Sequence, residues 1–229
     1  MKQMVLDMGL GAGPTLNNFC VGPNDAAVNH LRLWLGQPSA AVTRRSPVPT
    51  YLWGESGCGK THLLKAMRNE LEVQGAQVGW FDATVQMPSE FQEHWSAVIM
   101  DDVHAFDAGQ QQAAFNWFVH AQTQQIAVLA TGALPPADLK LRDDLRTRMG
   151  WGHVFALESL NDAQRREVLR IHAQARGVAL SDEVMDFMLT RFSRDLGNLM
   201  ELLDLMDGYA LQTQRAITIP LIKTMMENV

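Results

Sequence analysis

Gly54-Glu55-Ser56-Gly57-Cys58-Gly59-Lys60-Thr61 matches the pattern G-x-x-x-x-G-K-[ST] at every fixed position. Before it, Tyr51-Leu52-Trp53 reads as a short buried strand. After it, Thr61–Glu70 carries Leu63, Leu64 and Met67 at helical spacing. A strand, a glycine turn and a helix are the context this pattern needs to bind phosphate. The glycines let the backbone turn several N–H groups toward one anion, and the helix adds its positive N-terminus at the same place. In such a loop Lys60 reaches the β- and γ-phosphates and the Thr61 hydroxyl ligates Mg²⁺. Gly54, Glu55, Ser56, Gly57, Cys58, Gly59, Lys60, Thr61 and the adjoining His62 are therefore the candidate residues for ATP or ADP. The competing reading, a chance glycine turn, leaves the flanking strand and helix unexplained.

Outward from the loop, Val78–Asp82, Ala97–Met100, Ile126–Ala130 and His153–Leu157 read as further strands with helical stretches between most of them. Short apolar strands alternating with helices imply a parallel sheet covered on both faces. Upstream, Asn24–Leu35 looks helical and Gln37–Pro49 is a proline-punctuated loop. After Leu157 the strand pattern ends. Asp162–Arg176, Asp182–Phe192, Asp195–Leu211 and Pro220–Asn228 read as helices, with Ser181 and Thr218 at N-cap positions and Pro220 in a first turn. Leu196, Leu199, Met200, Leu203 and Met206 form one apolar stripe. The expected fold class is α/β: a nucleotide-binding base with a five-stranded parallel sheet, plus a small all-helical domain. The expected divisions are residues 1–14 as tail and glycine-rich hinge, 15–157 as base and 158–229 as helical domain.

The 229 residues are 47% hydrophobic and 19% charged, as in a globular protein with a substantial core. The net charge of -6 lacks the basic footprint of a strong nucleic-acid binder, so tight direct DNA binding is not expected. Cys20 and Cys58 have neither metal-ligand nor redox spacing and read as reduced thiols of a cytoplasmic protein. No signal peptide and no apolar run of membrane-spanning length is visible.

Ala97-Val98-Ile99-Met100-Asp101-Asp102 is an apolar strand ending in two acids. At a strand's carboxyl end such acids would face the phosphates. Asp101 would hold Mg²⁺, and Asp102 could orient or deprotonate an attacking water. By themselves, two acids after a strand are more often a solvated strand end; the glycine loop favours the metal reading. Thr131-Gly132 closes the next strand, where a hydroxyl could touch the γ-phosphate or simply make a turn. Arg142, Arg146 and Arg148 precede Met149-Gly150-Trp151-Gly152; spacing alone leaves them solvated or paired with acids such as the adjacent Asp143 and Asp144.

Together, Gly54–Leu64, Asp101-Asp102, Arg148–Gly152 and the tail Gln3–Met8 resemble the DnaA family of AAA+ ATPases, especially its shorter branch typified by Hda, the regulatory inactivator of DnaA. The resemblance covers nearly the whole chain and stops where the initiator would continue into its helix-turn-helix DNA-binding domain. It implies that the Thr131 strand lies between the phosphate-loop strand and the Asp101 strand, with Thr131 near the first sensor position. It implies that Arg148 is an arginine finger for a neighbouring subunit's ATP site. It places Asn18–Val21 along the adenine, with Phe19 and Val21 as candidates.

The tail resembles a sliding-clamp-binding peptide, with Gln3 giving the amide and Met4, Leu6 and Met8 entering an apolar groove. Three apolar side chains on an exposed tail are unfavourable unless something buries them, either a partner or the protein's own domain. Two positions depart from the family: its second sensor arginine falls on Gly197, three residues after Arg194, and the acidic position beyond Thr131-Gly132 is Ala133. Both count against autonomous hydrolysis, not against binding. The expected partners are DnaA and the sliding clamp, with self-association left open. The alternatives are a self-contained ATPase or helicase loader, and a passive ADP-holding adaptor.

Overall fold

The computed structural model of the chain describes residues 13–36, 45–192 and 196–227. These fall into two compact units that divide between Ser159 and Leu160.

The first unit is an α/β domain. Its elements are α1 (Asp25–Leu35), β1 (Thr50–Trp53), α2 (Lys60–Val73), β2 (Val78–Phe81), β3 (Ala97–Met100), α3 (Ala108–Thr123), β4 (Ala127–Gly132), α4 (Asp143–Met149) and β5 (His153–Ala156). The five strands form one parallel sheet in the order β2-β3-β4-β1-β5. Successive strand side chains point to opposite faces, and the burial follows this alternation. Tyr51, Val98, Met100, Val128 and Ala130 pack with Trp117 and Phe118 of α3 and Leu145 and Met149 of α4. Leu52, Ala97, Ile99, Ala127 and Leu129 pack with Val28 and Leu31 of α1 and Leu63, Leu64 and Met67 of α2. The near-continuous apolar strands reflect this two-sided cover.

Helix starts follow local chemistry. Asp107 caps α3 by accepting from the Gln110 N–H, while Gln110 accepts from the Asp107 N–H. α2 starts instead from Gly59, at φ +99°, a left-handed conformation that glycine adopts without strain.

The second unit is helical: α5 (Asp162–Ala175), α6 (Asp182–Arg191), α7 (Leu196–Thr213) and α8 (Ile219–Glu227). Leu199, Leu203 and Met206 of the expected stripe are buried in its core with Leu169, Met188 and Ile222, and Met200 packs against it. Ser181 caps α6 by accepting from the Val184 N–H, and Pro220 sits in the first turn of α8. The anticipated parallel sheet and all-helical companion are both present. Several element ends shift by one to three residues; the shift that bears on the site is β4, which runs on to Gly132 and makes Thr131 a central-strand residue rather than part of a turn. Among the described residues, no helix is long and apolar enough to cross a membrane.

Candidate functional site

Strand register assembles the site. Met100 lies beside Ala130 and Leu52 beside Thr131 in adjacent parallel ladders. The carboxyl ends of β1, β3 and β4 therefore emerge together, bringing Gly54, Asp101 and Thr131 to one edge of the sheet, the usual place for ligands in open α/β folds.

The loop from Gly54 to Gly59 is close-fitting. A Cβ at Gly54 would come 2.3 Å from the Leu157 carbonyl oxygen. Gly57 and Gly59 have positive φ, +78° and +99°. Glu55, Ser56 and Gly57 are exposed at the loop tip, while Cys58 and Lys60 are buried. The Lys60 side chain is only 7% exposed. Its ammonium is satisfied by the loop itself: Nζ donates to the carbonyls of Gly54 at 2.9 Å and Glu55 at 3.0 Å. Cys58 Sγ is 4.0 Å from the same nitrogen. Burial pushes the Cys58 thiol above its ordinary pKa, with the Lys60 charge opposing, so the thiol stays protonated. Cys20 and Cys58 are both free of disulfides.

The acids are held from both sides. Asp101, 5% exposed, accepts the Thr61 hydroxyl on Oδ2 at 2.7 Å and the Thr131 hydroxyl on Oδ1 at 2.6 Å. Burial raises its pKa; the two hydroxyl hydrogen bonds and the Lys60 charge pull the other way, and Asp102 adds to the rise. Thr131 is fully buried, and its oxygen also accepts the Asp102 N–H at 2.8 Å. Its hydroxyl is thus committed to the two acids. Asp102 adopts left-handed φ, +50°, which aspartate tolerates better than most residues. Its Oδ1 lies 3.8 Å from Nδ1 of His104.

Behind Thr131, the Tyr51 hydroxyl donates to the Leu134 carbonyl at 2.8 Å. It also fills the space where a Cβ at Gly132 would lie. Sequence reasoning missed this brace because Tyr51 reads only as an apolar strand residue. Burial, with Asp102 nearby, drives its pKa far upward, so the brace stays a hydrogen-bond donor.

The segment before α1 lies against the loop. A Cβ on Gly59 would sit 2.5 Å from Cε2 of Phe19. The Phe19 ring is 5.5 Å from His62, whose Nε2–H donates to the Thr15 carbonyl at 3.0 Å. Burial lowers the His62 pKa, the Thr15 bond partly offsetting it, so the imidazole is neutral near pH 7. Phe19 and Val21 both pack against the core cluster beneath the loop, and the Val21 carbonyl accepts the Asn24 N–H at 2.8 Å.

The three arginines separate. Arg142 pairs with Asp144 at 2.7 Å, and Arg146 with Asp143 at 2.8 Å. Arg148 has no acidic partner among the described residues. Its guanidinium instead lies over the rings of Trp151, Phe115 and Phe118, at 4.6, 4.9 and 5.8 Å from their centroids. Of the two plain expectations, pairing with an acid holds for Arg142 and Arg146, while Arg148 is half-buried and ring-packed, with no acid paired to it among the described residues. Phe115 and Phe118 were not anticipated. Their only signal is their spacing of three on one helix, which does not say what faces them.

Gln3, Met4, Leu6, Met8 and Arg194 lie outside the described residues. Gly197 is the second residue of α7 and is exposed.

Two family models match the chain: the bacterial DnaA ATPase domain over residues 11–156, and the Hda lid domain over 162–226. An uncharacterized protein of Haemophilus influenzae is 36% identical over 185 residues, which is 76% of this chain and 79% of that protein. Among solved structures, domain III of the Thermotoga maritima replication initiation protein DnaA superposes with a TM-score of 0.74 at 19% identity, covering 96% of this chain and 98% of the other. AMPPCP-bound DnaA from Aquifex aeolicus gives 0.67 at 22% identity, with 89% of this chain and 68% of that one covered. Thermotoga maritima RuvB gives 0.60 at 17%, over 89% and 68%. At these identities the superpositions speak for the fold, and the family assignment rests on the sequence models. With a DnaA-type ATPase base over residues 11–156 and an Hda-type lid over 162–226, the chain belongs to the DnaA family of nucleotide-binding AAA+ proteins.

Proposed function

We propose that this protein is a nucleotide-bound regulator of DnaA, acting in the cytoplasm. It docks on the ATP-loaded initiator at the DNA-loaded sliding clamp and inserts Arg148 beside the initiator's γ-phosphate, so that DnaA hydrolyses its ATP and is inactivated. The observation that carries this reading is the state of Arg148: alone among the three neighbouring arginines, it has no carboxylate partner among the described residues. A guanidinium at the surface with its N–H edges unspent suits a phosphate supplied from outside.

The protein's own site fits ATP or ADP. The loop's N–H groups and Lys60 would take the phosphates, with the ammonium exchanging its two loop carbonyls for phosphate oxygens. Phe19, Val21 and His62 would border the base and sugar side. Thr61 and Asp101, already 2.7 Å apart through one hydrogen bond, offer the hard oxygen donors that Mg²⁺ takes. Bound there, Mg²⁺ would neutralise phosphate charge. Thr131 would act through Asp101 and Asp102 by fixing their orientation, and Asp102 would be the acid nearest an attacking water. The protein's own turnover is expected to be slow, since glycine, at Gly197, stands where the family has its second sensor arginine.

Gln3, Met4, Leu6 and Met8 would provide the clamp tether, and the net charge of -6 leaves direct DNA binding weak. A self-contained motor or helicase loader would need none of this and would turn over ATP alone.

The test is ATP turnover by DnaA with DNA-loaded clamp, with wild-type protein or Arg148→Ala. Arginine fingers contribute roughly 10³–10⁵ in rate in well-studied systems, against about 1 kcal/mol or less for an exposed ion pair. Arg148→Ala is expected to bind nucleotide normally and lose nearly all stimulation. Retention of most of it sinks the finger.

A further inference from the structure

Trp151 is held by its backbone and exposed at its ring. Its N–H donates to the Arg148 carbonyl at 3.1 Å, and the next turn is pressed onto Pro49, whose carbonyl oxygen would lie 1.9 Å from a Cβ on Gly152. The following His153 N–H donates to that same carbonyl at 2.9 Å. Trp151 nevertheless remains 57% exposed. A large ring fixed at the surface gains little from burial, so burial is not the reason for its place.

The Arg148 guanidinium supplies one. It lies 4.6 Å from the Trp151 ring and 4.9 Å from Phe115, while buried Phe118 meets Trp151 edge-on at 6.3 Å and 81°. Stacking engages the flat faces of a guanidinium and leaves its five in-plane N–H donors free. A carboxylate clamp, such as holds Arg142 and Arg146, consumes those same donors. An aromatic cradle can therefore order the side chain without spending what a phosphate would need. A flexible arginine standing alone would have to be ordered at the moment of docking, and that cost would fall on the chemical step.

We propose that Trp151, backed by Phe115, is a positioning residue that holds the Arg148 guanidinium pre-ordered, donors outward, for the phosphates of a nucleotide carried by a second AAA+ subunit. The proposal rests on the finger reading above. It adds that the ring contributes through its π face rather than through contact with the partner.

The experiment measures DnaA ATP turnover against concentration of the full-length protein, with clamp and DNA, for wild type and for Arg148→Ala, Trp151→Ala, Trp151→Leu and Trp151→Phe. Melting curves and ADP binding are controls, which the exposed position should leave near wild type. Trp151→Ala and Trp151→Leu are expected to lower the maximal stimulated rate about tenfold, a factor equal to about 1.4 kcal/mol, with little change in half-maximal concentration. Trp151→Phe should restore most of the rate. If Arg148→Ala abolishes stimulation while Trp151→Ala keeps the full maximal rate, the positioning role is wrong and the finger stands. The positioning role is equally excluded if Trp151→Ala changes only the half-maximal concentration, which marks a docking contact, or if Leu restores as well as Phe, which marks plain packing. If Arg148→Ala itself keeps stimulation, the finger fails and the positioning role falls with it.

Discussion

The Thr131 hydroxyl donates to Oδ1 of Asp101 at 2.6 Å, joining the side chains of two neighbouring parallel strands at their carboxyl ends. The same oxygen accepts the Asp102 N–H. One buried hydroxyl thus bonds the side chain of the first acid, opposite Thr61, and the backbone of the second.

Thr131→Val should separate this role from simple packing. The swap keeps the shape, but it leaves an Asp101 oxygen and the Asp102 N–H without their partner. An unsatisfied buried polar group costs about 1–3 kcal/mol, so a melting point several degrees lower is expected. Thr131→Ser keeps the hydroxyl and should stay close to wild type. Equal stability of the Val and Ser variants in urea titrations would show that the hydroxyl adds nothing.

Lys60→Ala should weaken ADP or ATP binding roughly 10- to 100-fold, since each charge-assisted hydrogen bond to phosphate contributes about 1.5–3 kcal/mol. Titration calorimetry on a variant with wild-type circular dichroism is the check. Unchanged affinity would mean that the loop does not hold the phosphates through this residue.

Acid should destabilise the α/β unit partly through His30. Its Nε2 is bonded to the Thr50 hydroxyl at 2.9 Å, and its ring packs 4.4 Å from His153 and 4.9 Å from Phe155. Burial, then repulsion from His153, lowers its pKa below the ordinary imidazole value. A lowered folded-state pKa means that the unfolded chain takes the proton first. No penalty exists well above about pH 6.5; it grows as pH falls toward the folded-state value. His30→Gln keeps a hydrogen-bonding group toward Thr50 and cannot titrate. Its melting temperature should therefore fall less than that of wild type between about pH 7 and pH 5. His62, lowered by burial with the Thr15 bond partly offsetting, contributes in the same direction within this unit, and His172, lowered by burial and Arg176, does so in the helical unit; both remain in the two proteins. Parallel melting profiles would dismiss His30 as a contributor.

A peptide of residues 1–10 should bind purified sliding clamp by itself with modest affinity. Replacing Gln3 and Leu6 by Ala should abolish the signal, and full-length protein should lose clamp binding with the tail. DNA-loaded clamp then acts mainly by raising local concentration near DnaA. Equal clamp binding by full-length and tail-deleted protein excludes the tether.

Much of this molecule is written locally. The phosphate loop, its strand and its helix are contiguous, and their chemistry depends on glycine conformations and a helix terminus that short-range sequence encodes. The paired acids after an apolar strand are local too, as are the helix caps at Ser181 and Asp107. Tertiary structure decided what joins distant segments. Thr131 reads as a strand end whose hydroxyl could meet a phosphate or make a turn; strand register instead joins it to Asp101, thirty positions earlier, at full burial. Arg148 reads like Arg142 and Arg146 because all three have acids close in sequence. Only the packing of α3 against α4 puts Phe115 and Phe118 beneath it and leaves the acids to the other two. The reason is general: a periodic pattern says which face of an element is buried, but not which residue of another element that face will meet.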